Sequence, residues 1–263
     1  MTFQDPYVYP DTTILRNKYD IRDQEKLSEI ERRVTWKGRL SLVEKPPPQD
    51  YGLTHLQAIH SRLFSEIYDW AGQLRTVNLS KEHTNFLPGA YLQNGINEIA
   101  TKIRETGLVS RDLSDDEFCI AISNVLADLN FVHPFREGNG RTQRAFLDDI
   151  AAASGRTLAW RNVPTIDHLN ASIQSAKDGN GAAFLPLFHE MLKPPKDGHA
   201  TLDSRIYDTT PTTTSSTSPA KPWTGLRSFY GAGVCGAWMP HAKTTCILHT
   251  GHGGHHRSKL LKR

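Results

Sequence analysis

Residues 133–144 read His-Pro-Phe-Arg-Glu-Gly-Asn-Gly-Arg-Thr-Gln-Arg. Within that run lie a base, a carboxylate, a glycine-rich turn and two arginines. Gly138-Asn139-Gly140 can take the positive φ values that aim successive backbone N–H groups at one point. A helix starting there adds its unpaired N-terminal N–H groups and the positive end of its dipole. Those parts make an anion site suited to a di- or triphosphate. Arg141 and Arg144, three residues apart, share a helix face near that end and can clamp further phosphate oxygens. Glu137, just ahead of the turn, can hold Mg²⁺ against the phosphates. His133 is the nearby side chain able to accept a proton at neutral pH. Pro134 stiffens the chain behind it, and Phe135 is apolar enough to anchor the loop in a core. Taken singly, each residue also suits a plain structural turn with surface arginines. Their crowding into one short run favours a site for nucleotide transfer.

Two helices must deliver these groups. Ser114 followed by Glu117 is a capping box, and it opens a helix whose buried stripe is Phe118, Ile122, Val125, Leu126 and Leu129, ending at His133. The second helix starts near Gly140, buries Phe146, Leu147 and Ile150, and stops at Gly155. Upstream, Leu53, Leu56, Ile59, Leu63, Phe64 and Ile67 recur at helical spacing, as do Tyr91, Leu92, Ile96, Ile99 and Ile103. Shorter helical patterns cover 166–177 and 182–192, before Pro194-Pro195. Between the first two helices, 74–80 and 85–87 read as the arms of a short hairpin. Two strands alone are only marginally stable, so this hairpin packs on helices or waits for a third strand.

The chain has 263 residues, enough for one good-sized core with a small appendage. No apolar run approaches the ~20 residues needed to span a membrane. The opening MTFQDPYVYP lacks a basic n-region, so no secretory leader is expected. Three cysteines, widely scattered, suit a reducing cytoplasm rather than a disulfide scaffold. The net charge of +3 is unevenly spread. All the acidic residues lie at or before Asp208, whereas Lys221, Arg227, Lys243, Arg257, Lys259, Lys262 and Arg263 follow it. A mildly acidic body with a basic tail points to two regions with different partners.

The run HPFREGNGRTQR resembles the Fic family signature, His-Pro-Phe-x-Asp/Glu-Gly-Asn-Gly-Arg-x-x-Arg, at every specified position. The resemblance extends over about residues 5–195, through YPDTTILRNKYDIRD and IYDWAGQLRTVNLSKEHTNF. It implies an all-α Fic-fold helical bundle with a short β-hairpin flap, transferring AMP from ATP to a hydroxyl of a target protein. By resemblance His133 is the general base and Glu137 the Mg²⁺ ligand. Gly138, Asn139 and Gly140 form the anion hole, with Arg141 toward the β-phosphate and Arg144 toward the γ-phosphate. Thr142 and Gln143 complete the nucleotide-binding run. The flap, about 74–88, would align the target by strand-type pairing through Thr76, Val77, Asn78, Lys81, Thr84, Asn85 and Phe86. The related Doc branch, which transfers a γ-phosphate, lacks the arginine pair, so its presence here favours adenylylation. A Doc-like kinase and a non-catalytic nucleotide-binding module are the alternatives.

Many Fic proteins carry an inhibitory S/T-x-x-x-E-G/N helix whose glutamate meets the last signature arginine. No such motif is found here. The nearest approach, Thr101 to Glu105, is followed by Thr106 and lies inside a core helix. The resemblance therefore implies a separate antitoxin chain, with DNA gyrase or topoisomerase IV as the target protein.

The resulting division is a Fic domain over 1–195 (N-terminal segment 1–50, core 114–155), a Thr/Ser/Pro-rich linker over 196–222 and a basic tail over 223–263. In the tail, Cys235, Cys246, His249 and His252 have spacings open to a Zn²⁺ site or to nothing more than a His-rich end. Its basic groups near Trp223, Phe229, Tyr230 and Trp238 would also suit nucleic acid. Gly231 to Gly236 fits G-x-G-x-x-G only by accident, because no strand precedes it.

Overall fold

The best-capped helix of the sequence stands at the centre of the fold. The computed structural model describes residues 5–81 and 84–194, together with the backbone of 238–239 and 244–245. Its helices are α1 (Gln24–Glu44), α2 (Leu53–Phe64), α3 (Leu92–Glu105), α4 (Asp115–Val132), α5 (Asn139–Ala153), α6 (Thr165–Asp178) and α7 (Leu185–Met191). Ser114 caps α4, its side chain accepting from the Glu117 N–H while the Glu117 side chain accepts from the Ser114 N–H. Helices α3, α5, α6 and α7 all pack on α4, and α2 bridges α1 to α5. Phe64, Phe118, Phe135, Phe146, Phe184 and Phe188 are fully buried between them. Removing each of those rings from water stabilises the bundle by about 1.5–3 kcal/mol.

The all-α architecture agrees with the sequence, and so do most helix limits. Helix α2 is shorter than its periodicity suggests: it ends at Phe64, and Ile67 is buried from the turn beyond. Helix α1 was not delimited by pattern at all. Its buried face includes Thr35 and Gly38 beside Leu27 and Leu42, which dilutes the apolar period.

The flap differs most. Strand β1 (Ser80–Lys81) pairs antiparallel with β2 (Thr84–Asn85), Ser80 opposite Asn85 and Lys81 opposite Thr84. Paired strand is thus confined to the tip, not spread over 74–80 and 85–87 as expected. Lower down, the carbonyls of Val77 and Leu87 are taken by the Arg75 guanidinium, and the Leu87 N–H bonds to the Phe131 carbonyl at 2.9 Å. Those groups are therefore withheld from a ladder.

A separate pair, β3 (Trp238–Met239) and β4 (Thr244–Thr245), is antiparallel. The linker and the expected zinc and nucleic-acid residues of the tail lie outside the described residues, apart from the backbone of Trp238 in β3. Among the described residues no helix is long and apolar enough to cross a membrane.

Candidate active site

Helix α4 ends by turning left-handed at His133, whose φ is +46° and whose N–H still bonds to the Leu129 carbonyl at 2.9 Å. A non-glycine residue rarely takes that conformation, so the surroundings must hold it. They do. The carbonyls of four successive residues are all engaged. Phe131 accepts from the Leu87 N–H at 2.9 Å, Val132 from Arg75 Nη2 at 3.2 Å, His133 from Arg75 Nε at 2.8 Å and Pro134 from the Arg75 N–H at 3.0 Å. The half-buried His133 ring stacks on Phe86 of the flap, with centroids 4.0 Å apart and planes at 16°.

The loop between the helices is closed by Asn139. Its side-chain oxygen accepts from the Phe135 N–H at 2.9 Å and its amide donates to the Phe135 carbonyl at 2.8 Å. Phe135 is buried and stacks on His60 at 3.9 Å. His60 accepts from the Gly72 N–H at Nδ1, 2.8 Å, which leaves Nε2 to donate to the Glu137 carbonyl at 3.0 Å. Burial pulls the His60 pKa down to about 4, so it is neutral in this role.

Helix α5 opens at Gly138, φ +80°, where a Cβ would fall 2.3 Å from the Phe64 ring. Glycine is required there for both reasons. The first intrahelical bond runs from the Thr142 N–H to the Gly138 carbonyl at 3.0 Å, so the N–H groups of Asn139, Gly140 and Arg141 precede the ladder. A Cβ placed on Gly140 would meet nothing within 4 Å, leaving open space at that helix end.

Arg141 lies over the Phe64 ring at 4.7 Å and reaches two carboxylates, Glu31 at 2.8 Å and Glu137 at 3.4 Å. Glu31 also accepts from the Tyr68 hydroxyl. Burial first, then that bond and the Glu31 charge, push the Tyr68 pKa above its usual value. Arg144, one turn on, lies 5.7 Å from the Trp160 ring. Trp160 donates to Asp148 at 2.6 Å, and Asp148 also pairs with Arg39 of α1. Among the described residues no carboxylate pairs with Arg144. Thr142 and Gln143 point inward: the Thr142 hydroxyl donates to the Gly138 carbonyl at 3.0 Å, and Gln143 is buried.

His133, Glu137 and the opening of α5 are thus held on one short loop, with Phe86 above the histidine. The other flap residues divide. Thr76 shares hydrogen bonds with the Tyr7 hydroxyl, Asn78 accepts from the Gly89 N–H at 3.0 Å, and Val77 is buried at the flap's root. Asn85 is exposed at the tip, where the backbones of Lys81 and Thr84 pair. Glu31, His60 and Arg75 are the neighbours that sequence reading missed. A lone arginine ahead of a hairpin, or a histidine on an apolar helix face, is the faint signal each leaves.

Residues 50–151 match the Fic/DOC family. A probable protein adenylyltransferase Fic of Escherichia coli is 32% identical over 189 residues, covering 72% of this chain and 92% of that protein. The chain belongs to the Fic/DOC family. A second relative, a probable protein adenylyltransferase of Sinorhizobium fredii, is 34% identical over 172 residues, 65% of this chain and 88% of that protein. Among solved structures, the VirB-translocated effector protein BepC from Bartonella tribocorum, with bound AMPPNP, superposes with a TM-score of 0.65 at 28% identity. It covers 72% of this chain and 97% of that one. By this kinship the chain is an enzyme of the protein adenylyltransferase class.

Proposed function

We propose that this Fic protein attaches AMP from ATP to a hydroxyl side chain of a target protein, with His133 as the base. One observation carries the reading. A single loop holds the base at one end and the unpaired N–H groups of α5 at the other, with open space at Gly140.

The N-terminus of α5 suits the phosphate chain, because its free N–H groups and dipole favour negative charge. Arg141 already lies between two carboxylates, so phosphate oxygens would replace like chemistry around the same guanidinium. His133 takes the proton of the target hydroxyl, and that oxygen forms a bond to the α-phosphorus. The bond from the α-phosphorus to the bridging oxygen breaks, and pyrophosphate leaves with the electron pair. The α5 N–H groups are placed for the charge that grows on the α-phosphate oxygens during this exchange.

Glu137, half-exposed beside that helix end, is the residue to hold Mg²⁺. Such an ion would be held by that one carboxylate together with phosphate oxygens and water. When bound, Mg²⁺ would neutralise phosphate charge. Arg144, exposed on the far turn, suits the γ-phosphate. The same reading puts the inhibitor on a separate chain that reaches Arg144, and takes DNA gyrase and topoisomerase IV as the first targets to assay. The resemblance of the sequence supports that part.

Labelled ATP tests the reaction. Label from the α-phosphate should appear on the target and be lost in His133→Ala, which should still bind ATP. Label from the γ-phosphate alone would replace this reading with a kinase. Undiminished transfer by His133→Ala would remove the base.

A further inference from the structure

Arg75 is 2% exposed, and among the described residues its guanidinium meets no carboxylate. Four of its five N–H donors go to backbone carbonyls instead. Nη1 donates to Val77 at 2.7 Å, Nη2 to Leu87 and to Val132 at 3.2 Å, and Nε to His133 at 2.8 Å. Val77 and Leu87 are the two roots of the flap; Val132 and His133 are the end of α4. Burial pulls the Arg75 pKa down to about 10, so the group stays cationic at neutral pH.

A buried cation without a counter-ion is costly, and an apolar side chain of similar volume would often pack as well or better. The arrangement does have a particular fit. Carbonyls at a helix C-terminus lack intrahelical partners and form the negative end of the dipole. Arg75 satisfies two of them with its side chain and the Pro134 carbonyl with its own N–H. It thereby holds His133 in its left-handed conformation. The same planar fork holds both flap arms, and its bond directions are fixed in a way an ammonium cannot copy. Phe86, which covers the His133 ring, is the neighbour of Leu87.

We propose that Arg75 is a positioning residue for transfer: its guanidinium pins both roots of the flap to the backbone of the base-bearing turn, setting the height of the flap over His133. This rests on the reading of His133 as base and of the flap as the target's guide. A target hydroxyl must come within hydrogen-bond reach of the base, and a misplacement of about 1 Å costs on the order of 100-fold in rate.

Two variants of the full chain, Arg75→Met and Arg75→Lys, separate positioning from stability. Transfer from α-labelled ATP to the target protein, affinity for ATP alone, and amide hydrogen exchange over 76–89 and 131–135 are measured for each. Arg75→Met should lose transfer about 100-fold while ATP affinity stays within about threefold, and the Leu87 amide should exchange at least about tenfold faster. Arg75→Lys, a point charge able to reach only some of the carbonyls, should fall in between on transfer and exchange. Transfer and exchange both near wild type in Arg75→Met would overturn the proposal, and so would equal losses of transfer and ATP affinity. If Arg75→Met does not fold, Arg75→Lys decides, and near-wild-type transfer there overturns it. A wild-type chain that carries label only from the γ-phosphate would sink the AMP reading, while the exchange data would still judge the pin.

Discussion

The amide of Asn139 is turned back on its own loop. Both of its hydrogen-bonding ends are used on Phe135, so an anion at this place would meet the backbone of Asn139 and not its side chain. Asn139→Ala leaves a buried N–H and a buried carbonyl without partners, at about 1–3 kcal/mol each. Urea denaturation should therefore show a loss of about 2–6 kcal/mol, and ATP should bind more weakly. Asn139→Asp can accept from the Phe135 N–H but cannot donate, and should fall between the two. This role was half legible in the sequence. Gly-Asn-Gly announces a turn, but only the fold shows that the amide closes the turn instead of facing the ligand. Glu31 was not legible at all. It lies 110 residues from Arg141, and nothing in a charged surface helix distinguishes the one carboxylate that turns inward.

At the scale of elements, legibility followed local chemistry. The capping box, the stripe of α4 and the stop at Gly155 involve neighbours in sequence, and the structure has them where the pattern placed them. The flap was misjudged in extent because its lower half is organised by one buried arginine from outside any repeating pattern. Helix α1 escaped because a polar threonine and a glycine interrupt its buried face. The α4 cap permits a clean control. Ser114→Ala should lower the Tm by about 2–4 °C with little effect on transfer, since Ser114 stands at the opposite end of α4 from His133. A thermal melt read beside a transfer assay checks both halves, and a large loss of transfer would mean that the helix shifts as a body.

For the whole molecule, His60 links pH to stability. Its folded pKa is depressed to about 4 against an ordinary 6.5, so the unfolded chain takes up the proton first as pH falls. The stabilisation from neutral His60 is fully present above pH 6.5. It declines as acid is added and is gone below about pH 4. The shift corresponds to about 3 kcal/mol. His168, beside Arg144, is also pushed down to about 4, by burial first, and adds in the same direction. Urea midpoints taken between pH 7 and pH 4 should fall, and His60→Gln should flatten part of that slope. A midpoint unchanged over the range would contradict the buried, neutral histidine.

The N-terminal segment closes over the same centre. Asp5 pairs with Arg136 at 2.8 Å across 131 residues of sequence, and the Tyr7 hydroxyl bonds to Thr76 at the flap. Contacts that distant are late ones in folding, because each must wait for the loop between its ends to be gathered in. On the ribosome, Asp5 is clasped only after the loop at 133–144 has begun to be synthesised. The 131 residues that separate Asp5 from Arg136 must therefore be made before the two can meet, and the loop stays unclasped until then.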